Sequence, residues 1–148
     1  MPEPFEYRLR VRYGECDTQG VVFNARYGDY VDIAMNEYIR TLFGDYQRLL
    51  DQGVDIQVVN LNQNWHAPAH FDDVLCARIE PGRIGNTSFG LHIAFVEYRE
   101  QRLVMTADIT YVLIDARVGG KTPIPEAIRR QLADGAPETV ISHAGETG

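Results

Sequence analysis

The sequence predicts an α+β domain in which one sheet packs against a single long helix. Three observations support this prediction. An alternating segment opens the chain, a stripe of apolar residues at helical spacing follows it, and four further strand-like segments come after the stripe. With 148 residues and 45% hydrophobic content, the chain has the size of one compact domain with one core. We expect residues 1–133 to form this domain and residues 134–148 to form a loosely held polar tail.

The first two elements follow from a change of hydrophobic period near the N-terminus. From Glu6 to Tyr13, apolar and charged residues alternate, which is typical of a half-buried strand. From Asn24 to Phe43, apolar residues recur every three or four positions, which indicates a helix packed on a core. The helical stripe consists of Tyr27, Tyr30, Val31, Ala34, Tyr38 and Leu42.

The rest of the chain predicts short helices and a sheet. Residues 46–51 form a second helix that Gly53 closes. Strands are predicted at residues 55–66, 73–81, 89–96 and 103–113. Pro123 and Pro125 introduce a short helix over residues 126–132. Together with the first strand, these segments predict a five-stranded, mostly antiparallel sheet with one face available for the long helix.

Composition and charge exclude several function classes. The formal net charge of −7 argues against a protein that coats nucleic acid. No apolar run reaches the roughly 18 residues that a membrane span requires, and the N-terminal segment lacks the apolar core of a secretory signal. Cys16 and Cys76 are too few for a disulfide framework and fit a reducing compartment. We therefore expect a cytoplasmic protein without a membrane span and without a nucleic-acid partner.

The most informative residue is Asp17, which lies between the first strand and the long helix. Its carboxylate is expected to face the free N–H groups of the helix N-terminus, which carry partial positive charge. An acid beside backbone donors suits acyl-transfer chemistry. Ordinary helix capping or an Asx turn also places an aspartate here, so position alone leaves both interpretations open.

Other candidate centres of chemistry are weaker. His66 and His70 are four residues apart, but Pro68 excludes the helix that would align them on a metal ion. We therefore predict no metal site. Cys16 adjoins Asp17, but no histidine base is evident beside it, so a small buried thiol is the simpler interpretation.

Four sequence blocks carry a resemblance to a known family. The blocks are VRYGECDTQGVVFNARY at 11–27, PAHFDDVL at 68–75, IGNTSFGLHI at 84–93 and TYVLID at 110–115. In this order they resemble the hotdog-fold acyl-CoA thioesterases, specifically the 4-hydroxybenzoyl-CoA thioesterase-like branch. The resemblance implies a hotdog fold, in which an antiparallel five-stranded sheet wraps around one central helix. It also implies hydrolysis of an acyl-CoA to free acid and coenzyme A, by a homodimer or by a homotetramer of two dimers.

The resemblance further implies roles for individual residues. Asp17 acts as nucleophile or general base, and the backbone N–H of Asn24 or its neighbour Phe23 stabilises the oxyanion. The residues implied in substrate binding are Gly20, Val22, Tyr27, Tyr30 and His66. No cofactor is implied, because coenzyme A is part of the substrate.

Two alternative functions remain open at this stage. One is a non-catalytic acyl-CoA binding protein, because this chain has Asn24 and Arg26 where the family commonly has His and Asn. The other is an acyl-thioester hydratase on the same fold, although such hydratases usually pair Asp with His and no histidine lies near Asp17 in the sequence. The acyl chain length, an aromatic preference and delivery by an acyl carrier protein are equally open.

Overall fold

The computed structural model describes residues 2–146, whose strands form one six-stranded sheet. The chain begins with β1 (Phe5–Arg10), a 3-10 turn (Tyr13–Glu15), α1 (Arg26–Phe43) and α2 (Tyr46–Asp51). It continues with β2 (Val54–Trp65), β3 (Val74–Ile84), β4 (Ser88–Glu97) and β5 (Arg102–Asp115). It ends with α3 (Glu126–Asp134) and β6 (Val140–Ser142).

The order of strands across the sheet is β2-β5-β4-β3-β1-β6. All neighbouring strands pair antiparallel except β1 and β6, which are parallel. One face of this sheet packs on the apolar stripe of α1. The predicted α+β hotdog arrangement, with one long helix against an antiparallel sheet, is confirmed.

Aromatic contacts between α1 and the sheet fix the position of the helix. The Tyr38 ring packs edge-on against Phe5 of β1, with ring centroids 5.2 Å apart. The Tyr30 ring lies 6.4 Å from Phe95 of β4. All four side chains are buried, and burial of a large apolar side chain contributes about 1.5–3 kcal/mol to stability. The loop that precedes α1 is therefore attached to a firmly held helix.

Residues 140–144 of the C-terminal segment are held against β1. Val140–Ser142 adds a sixth strand to the edge of β1, and His143 Nδ1 lies 3.1 Å from Tyr7 Oη. Ala144 is buried, and its carbonyl accepts a hydrogen bond from Arg10 Nε at 2.8 Å. The sheet therefore has six strands rather than the expected five, and the tail that was expected to be loosely held contributes the sixth. The partner of this segment is the first strand of the chain, so no local pattern marks the pairing.

Several element boundaries differ from the predictions by one to three residues. β1 ends at Arg10 rather than Tyr13, and residues 13–15 form the 3-10 turn. α1 begins at Arg26 rather than Asn24, with Ala25 at the N-cap and no side chain capping the helix. β3 continues past Pro81 to Ile84, because the register shifts between these residues. Proline is tolerated in a strand at such an irregularity.

An ion-pair cluster on β1 predicts a pH-dependent contribution to stability. Glu6 accepts hydrogen bonds from Arg8 Nε at 2.6 Å and from Arg78 Nε at 2.9 Å. Burial alone raises the pKa of the Glu6 carboxyl, but the two arginines outweigh burial and hold the pKa below its ordinary value of 4.5. A carboxyl with a lowered folded-state pKa stabilises the fold above pH 4.5 and loses this contribution as the pH falls through the folded-state pKa.

We expect Glu6→Gln to lower the free energy of unfolding at pH 7 by about 1–3 kcal/mol. The difference from wild type should shrink as the pH falls below 4.5. Denaturant unfolding at pH 7, 5 and 3 measures it. A difference that stays constant over this range would contradict the account.

The turn after α3 requires glycine. Gly135 has φ 64° and ψ −154°, a backbone region that is essentially restricted to glycine. A Cβ atom at this position would lie 2.9 Å from Pro81 Cγ and 3.3 Å from Tyr38 Oη.

We expect Gly135→Ala to lower the free energy of unfolding by about 1–3 kcal/mol, because strain and contact act together. Gly28→Ala in α1 is the matched comparison, since a Cβ at Gly28 meets no atom within 4 Å. That change should stabilise the helix by up to about 1 kcal/mol. Denaturant unfolding of both variants tests the opposite signs, and a shift of the same sign in both would refute the explanation.

Candidate active site

Asp17 lies at the start of a tight hairpin turn. The Gly20 N–H donates to the Asp17 carbonyl at 3.0 Å, and the Asp17 N–H donates to the Val21 carbonyl at 2.9 Å. Gly20 has φ +77°, which provides the left-handed residue that this type of short hairpin loop needs. Cys16 and Val22 pair as an antiparallel bridge on the two sides of the turn. We call residues 16–22 the Asp17 hairpin.

The Asp17 carboxylate forms an Asx turn. Its Oδ1 accepts a hydrogen bond from the Gln19 N–H at 2.8 Å, whereas Oδ2 has no hydrogen-bond partner within residues 2–146. Asp17 does not cap α1, because Ala25 occupies the N-cap. Of the local interpretations, the Asx turn is therefore confirmed. The backbone fixes one carboxylate oxygen, and the other remains available on an exposed residue.

A second loop, at residues 66–73, supports the Asp17 hairpin. The Val22 N–H donates to the Ala69 carbonyl at 2.8 Å, and Val21 pairs with His70. Asp73 Oδ2 accepts the His70 N–H at 2.9 Å and so closes the turn of this second loop. The hairpin is therefore hydrogen-bonded to a neighbouring loop as well as within itself.

The two predicted oxyanion donors differ in their availability. The Phe23 N–H donates to the Glu15 carbonyl at 3.0 Å, so it is already occupied. The Asn24 N–H has no acceptor within residues 2–146, and Asn24 is exposed. The Asn24 carbonyl accepts the Tyr27 N–H at 3.4 Å, which attaches this segment to α1. The structure leaves Asn24, and not Phe23, free to donate to an incoming oxygen.

Three residues predicted to bind substrate are buried in the single chain. Val22, Tyr27 and Tyr30 belong to the core, and the two tyrosine rings pack edge to face with centroids 5.7 Å apart. Burial is the largest cause that raises the pKa of both phenols, so both hydroxyls are neutral at pH 7. Gly20, by contrast, is exposed. The tyrosines therefore support the hairpin from within the core.

His66 directly follows β2, at the start of the loop over residues 66–73. Its Nε2 is 3.1 Å from Thr106 Oγ1 on β5, and its N–H donates to the Val104 carbonyl at 2.8 Å. The preceding residue, Trp65, contacts the ring of Tyr27, with centroids 6.1 Å apart. Within residues 2–146, no hydrogen bond joins His66 to Asp17.

The other chemistry-bearing groups are poorly placed for catalysis. Burial and the carboxylates of Glu15 and Asp17 raise the pKa of the Cys16 thiol, which lowers its thiolate fraction. Within the described part of the chain, no three His, Cys, Asp or Glu side chains gather closely enough to hold a metal ion.

Among residues 2–146, none of the helices combines the length and apolar content needed to cross a bilayer.

The sequence did not predict one contact, which joins Glu15, just before the Asp17 hairpin, to Tyr30 of α1. The Tyr30 hydroxyl donates to Glu15 Oε1 at 2.9 Å. Glu15 Oε1 also accepts the Arg12 N–H at 2.8 Å, and Oε2 lies 3.0 Å from Arg12 Nη2. The distance between Glu15 and Tyr30 along the chain matches no helix or strand period. The only available signal was an acidic residue close to Asp17 in the same motif.

The hairpin, the helix and the sheet agree with what comparison with known proteins shows. Residues 19–109 match the family described as the thioesterase superfamily. The acyl-CoA thioester hydrolase YbgC of Escherichia coli is 27% identical over 124 residues, which are 84% of this chain and 92% of that protein. The acyl-CoA thioesterase YbgC of Haemophilus influenzae is 29% identical over 121 residues, 81% of this chain and 86% of that protein.

A solved structure extends the likeness to three dimensions. The crystal structure of a protein from Aquifex aeolicus superimposes with a TM-score of 0.79 at 25% identity, covering 87% of this chain and 99% of that one. The family match includes all of α1 and the strands β2, β3 and β4. As its sequence blocks predict, this chain belongs to the thioesterase superfamily.

Proposed function

We propose that this chain hydrolyses the thioester of an acyl-CoA to the free acid and coenzyme A. Membership of the thioesterase superfamily supports the reaction type, and the likeness to the YbgC acyl-CoA thioesterases supports the substrate class. The observation that carries the proposal is the state of Asp17. Its Oδ1 is held by the Gln19 N–H, while Oδ2 is unpartnered among residues 2–146 on an exposed turn.

Asp17 has two routes to cleave the thioester. As a nucleophile, Oδ2 adds to the thioester carbon, the C–S bond breaks, coenzyme A leaves as a thiolate, and water cleaves the mixed anhydride that remains. As a general base, Asp17 takes a proton from water while that water adds to the same carbon, after which the C–S bond breaks and the departing coenzyme A thiolate takes up the proton. Because a thiolate is a good leaving group, neither route needs a strong acid. Rapid-quench mass spectrometry separates the routes, since only the first leaves a transient acyl group on Asp17.

Both routes pass through a tetrahedral oxyanion. The Asn24 N–H is the donor proposed to stabilise it, because this group has no acceptor among residues 2–146. Loss of one such donor typically raises the barrier by about 2.7–4 kcal/mol. Gly20 and the buried Val22, Tyr27 and Tyr30 are proposed to shape the substrate site around it. His66 remains a proposal that rests on the resemblance alone.

We propose that the active form is a dimer joined through the edge of β2. This strand pairs only with β5 within residues 2–146. Val58 and Leu61 lie opposite the buried Tyr111 and Ile109, and directly opposed residues in an antiparallel pair point to the same face. Nevertheless, Val58 is 50% exposed and Leu61 is 42% exposed. The apolar face that packs on the helix therefore continues uncovered to the sheet edge, where a second β2 would cover it.

A second chain would also help to exclude water from the site of the oxyanion. Backbone donors stabilise an oxyanion strongly only where water is excluded, and Asp17 and Asn24 are both exposed in the single chain. The partner chain and the bound substrate together would remove this water. A tetramer of two dimers and a cytoplasmic location stay predictions.

The test is release of free thiol from short-chain, medium-chain, long-chain and aromatic acyl-CoAs, with an acyl carrier protein thioester in parallel. We expect turnover of at least one acyl-CoA, lost in Asp17→Asn. Tight binding of acyl-CoA by folded protein without thiol release would instead establish a binding protein. Hydration of an enoyl-CoA without thiol release would establish a hydratase.

A further inference from the structure

We propose that Glu15 is a positioning residue that fixes the Asp17 hairpin to α1 through the hydroxyl of Tyr30. The inference rests on the proposed function, since its purpose is to hold Asp17 in the geometry that thioester cleavage needs. It assigns to Glu15 no contact with substrate. Its consequence is a lower rate of the chemical step when the contact is broken.

Glu15 holds the chain on both sides of Asp17. On the N-terminal side of Asp17, Glu15 Oε1 accepts the Arg12 N–H at 2.8 Å, and the Glu15 N–H donates to the Arg12 carbonyl at 3.0 Å. On the C-terminal side of Asp17, the Glu15 carbonyl accepts the Phe23 N–H at 3.0 Å. Glu15 therefore directly precedes the Asp17 hairpin and also binds the residue that directly follows it.

The third attachment joins Glu15 to α1. Tyr30 Oη donates to Glu15 Oε1 at 2.9 Å. Within residues 2–146, this is the only side-chain hydrogen bond between residues 13–25 and α1. Tyr30 itself is fully buried against Tyr27 and Phe95, so its hydroxyl is a rigid anchor.

The electrostatics favour a charged and well-ordered Glu15. Its side chain is only 13% exposed. Burial raises the pKa of its carboxyl, but hydrogen bonds from the Arg12 backbone, the Tyr30 hydroxyl and the Arg12 guanidinium outweigh burial and lower the pKa overall. The phenol of Tyr30 has a raised pKa, chiefly from burial and then from its bond to Glu15. At neutral pH the pair is thus a phenol donating to a carboxylate, which is a charge-assisted bond and stronger than a neutral one.

The test compares kcat and KM of variants that remove or weaken this bond. Tyr30→Phe keeps the buried ring and loses the donor, and Glu15→Gln keeps the length of the side chain and loses the charge. Because a displacement of about 1 Å at a catalytic group can cost on the order of 100-fold in rate, we expect each variant to lower kcat by about tenfold or more, with KM little changed. The double variant should be no slower than the slower single variant, since both changes act on the same hydrogen bond.

Matched controls separate positioning from general destabilisation. Tyr38→Phe removes a hydroxyl from the same buried face of α1, and this hydroxyl has no hydrogen-bond partner within the described chain. Glu97→Gln alters another buried carboxylate that holds a turn, where it accepts the N–H groups of Arg99 and Glu100. Both controls should keep the wild-type kcat, whatever their effect on melting temperature.

The outcomes distinguish this inference from the proposed function. If thiol release depends on Asp17 but Tyr30→Phe and Glu15→Gln keep the wild-type kcat, the inference is wrong and the function stands. An equal loss of kcat in Tyr38→Phe would also overturn it. If no thiol is released at all, hydrogen exchange decides the structural claim: faster exchange of the Asp17 and Phe23 amides in Tyr30→Phe than in Tyr38→Phe supports the attachment, and equal exchange refutes it.

Discussion

Asp17→Asn is expected to lower kcat for thioester hydrolysis by about 100-fold or more, while the fold and KM stay close to those of wild type. Asparagine keeps an oxygen that can accept the Gln19 N–H, which is the only hydrogen bond to the carboxylate within residues 2–146. The Asx turn should therefore survive the change. What disappears is the anionic Oδ2, without which the residue neither attacks a carbonyl nor takes a proton from water. Thiol release over a range of acyl-CoA concentrations measures both constants.

Asp45→Asn provides the matched control for this experiment. Asp45 is also exposed and accepts one backbone N–H, from Arg48 at 2.8 Å, as the N-cap of α2. Asparagine caps helices as well as aspartate does, so this variant should keep wild-type kinetics. A folded Asp17→Asn protein with a rate near wild type would remove Asp17 from the mechanism.

Replacing Val58 and Leu61 together by lysine is expected to convert the proposed dimer to monomers and to abolish most of the activity. Both residues would meet their two-fold mates or close neighbours across the β2 edge, so the change places like charges on an apolar contact. Such a juxtaposition costs several kcal/mol, which corresponds to a rise in the dimer dissociation constant of about 100-fold or more. Sedimentation velocity over a range of protein concentrations measures the dissociation constant, and thiol release on the same samples measures activity.

Val140→Lys is the control, because Val140 is a 53% exposed valine on the opposite edge strand, β6. This variant should remain dimeric and active. If the Val58 and Leu61 double variant stays dimeric, the interface lies elsewhere on the chain. If wild-type monomers hydrolyse acyl-CoA at full rate, the dimer is not needed for the chemistry.

The sequence predicted those parts of the fold that have a local period. Strands β4 and β5 alternate over most of their lengths, and the apolar residues of one face are buried as the alternation indicates: Phe89, Leu91, Ile93, Phe95, Met105, Ala107, Ile109, Tyr111 and Leu113. The alternation fails near the turn between the two strands, where Val96 and Val104 are also buried and Leu103 is exposed. Strand β6 has three residues, too few to show a period, and it pairs with a strand from the other end of the chain. The start of α1 was placed too early because no side chain caps Ala25, so the usual signal of a helix start is missing.

The candidate site shows the same division between local and non-local information. Asp17 and Gly20 could be placed in a turn because residues of these types favour that backbone conformation. Which backbone N–H remains free could not be predicted. The Phe23 N–H is taken by the Glu15 carbonyl, and that pairing depends on how the hairpin folds back on itself. The bond between Glu15 and Tyr30 likewise exists only once α1 packs beside the 3-10 turn.

The parallel pairing of β6 with β1 determines how far sheets of this protein can grow. Without β6, the six residues of β1 would offer a second open row of backbone donors and acceptors, and a chain with two such rows can add copies at both ends to form filaments. With β6 in place, that end of the sheet carries only a three-residue strand, too short to recruit another chain effectively. In the dimer proposed here, assembly through β2 would then stop after one partner. In that dimer, β6 would prevent further copies from adding to the sheet and would limit the assembly to a finite size.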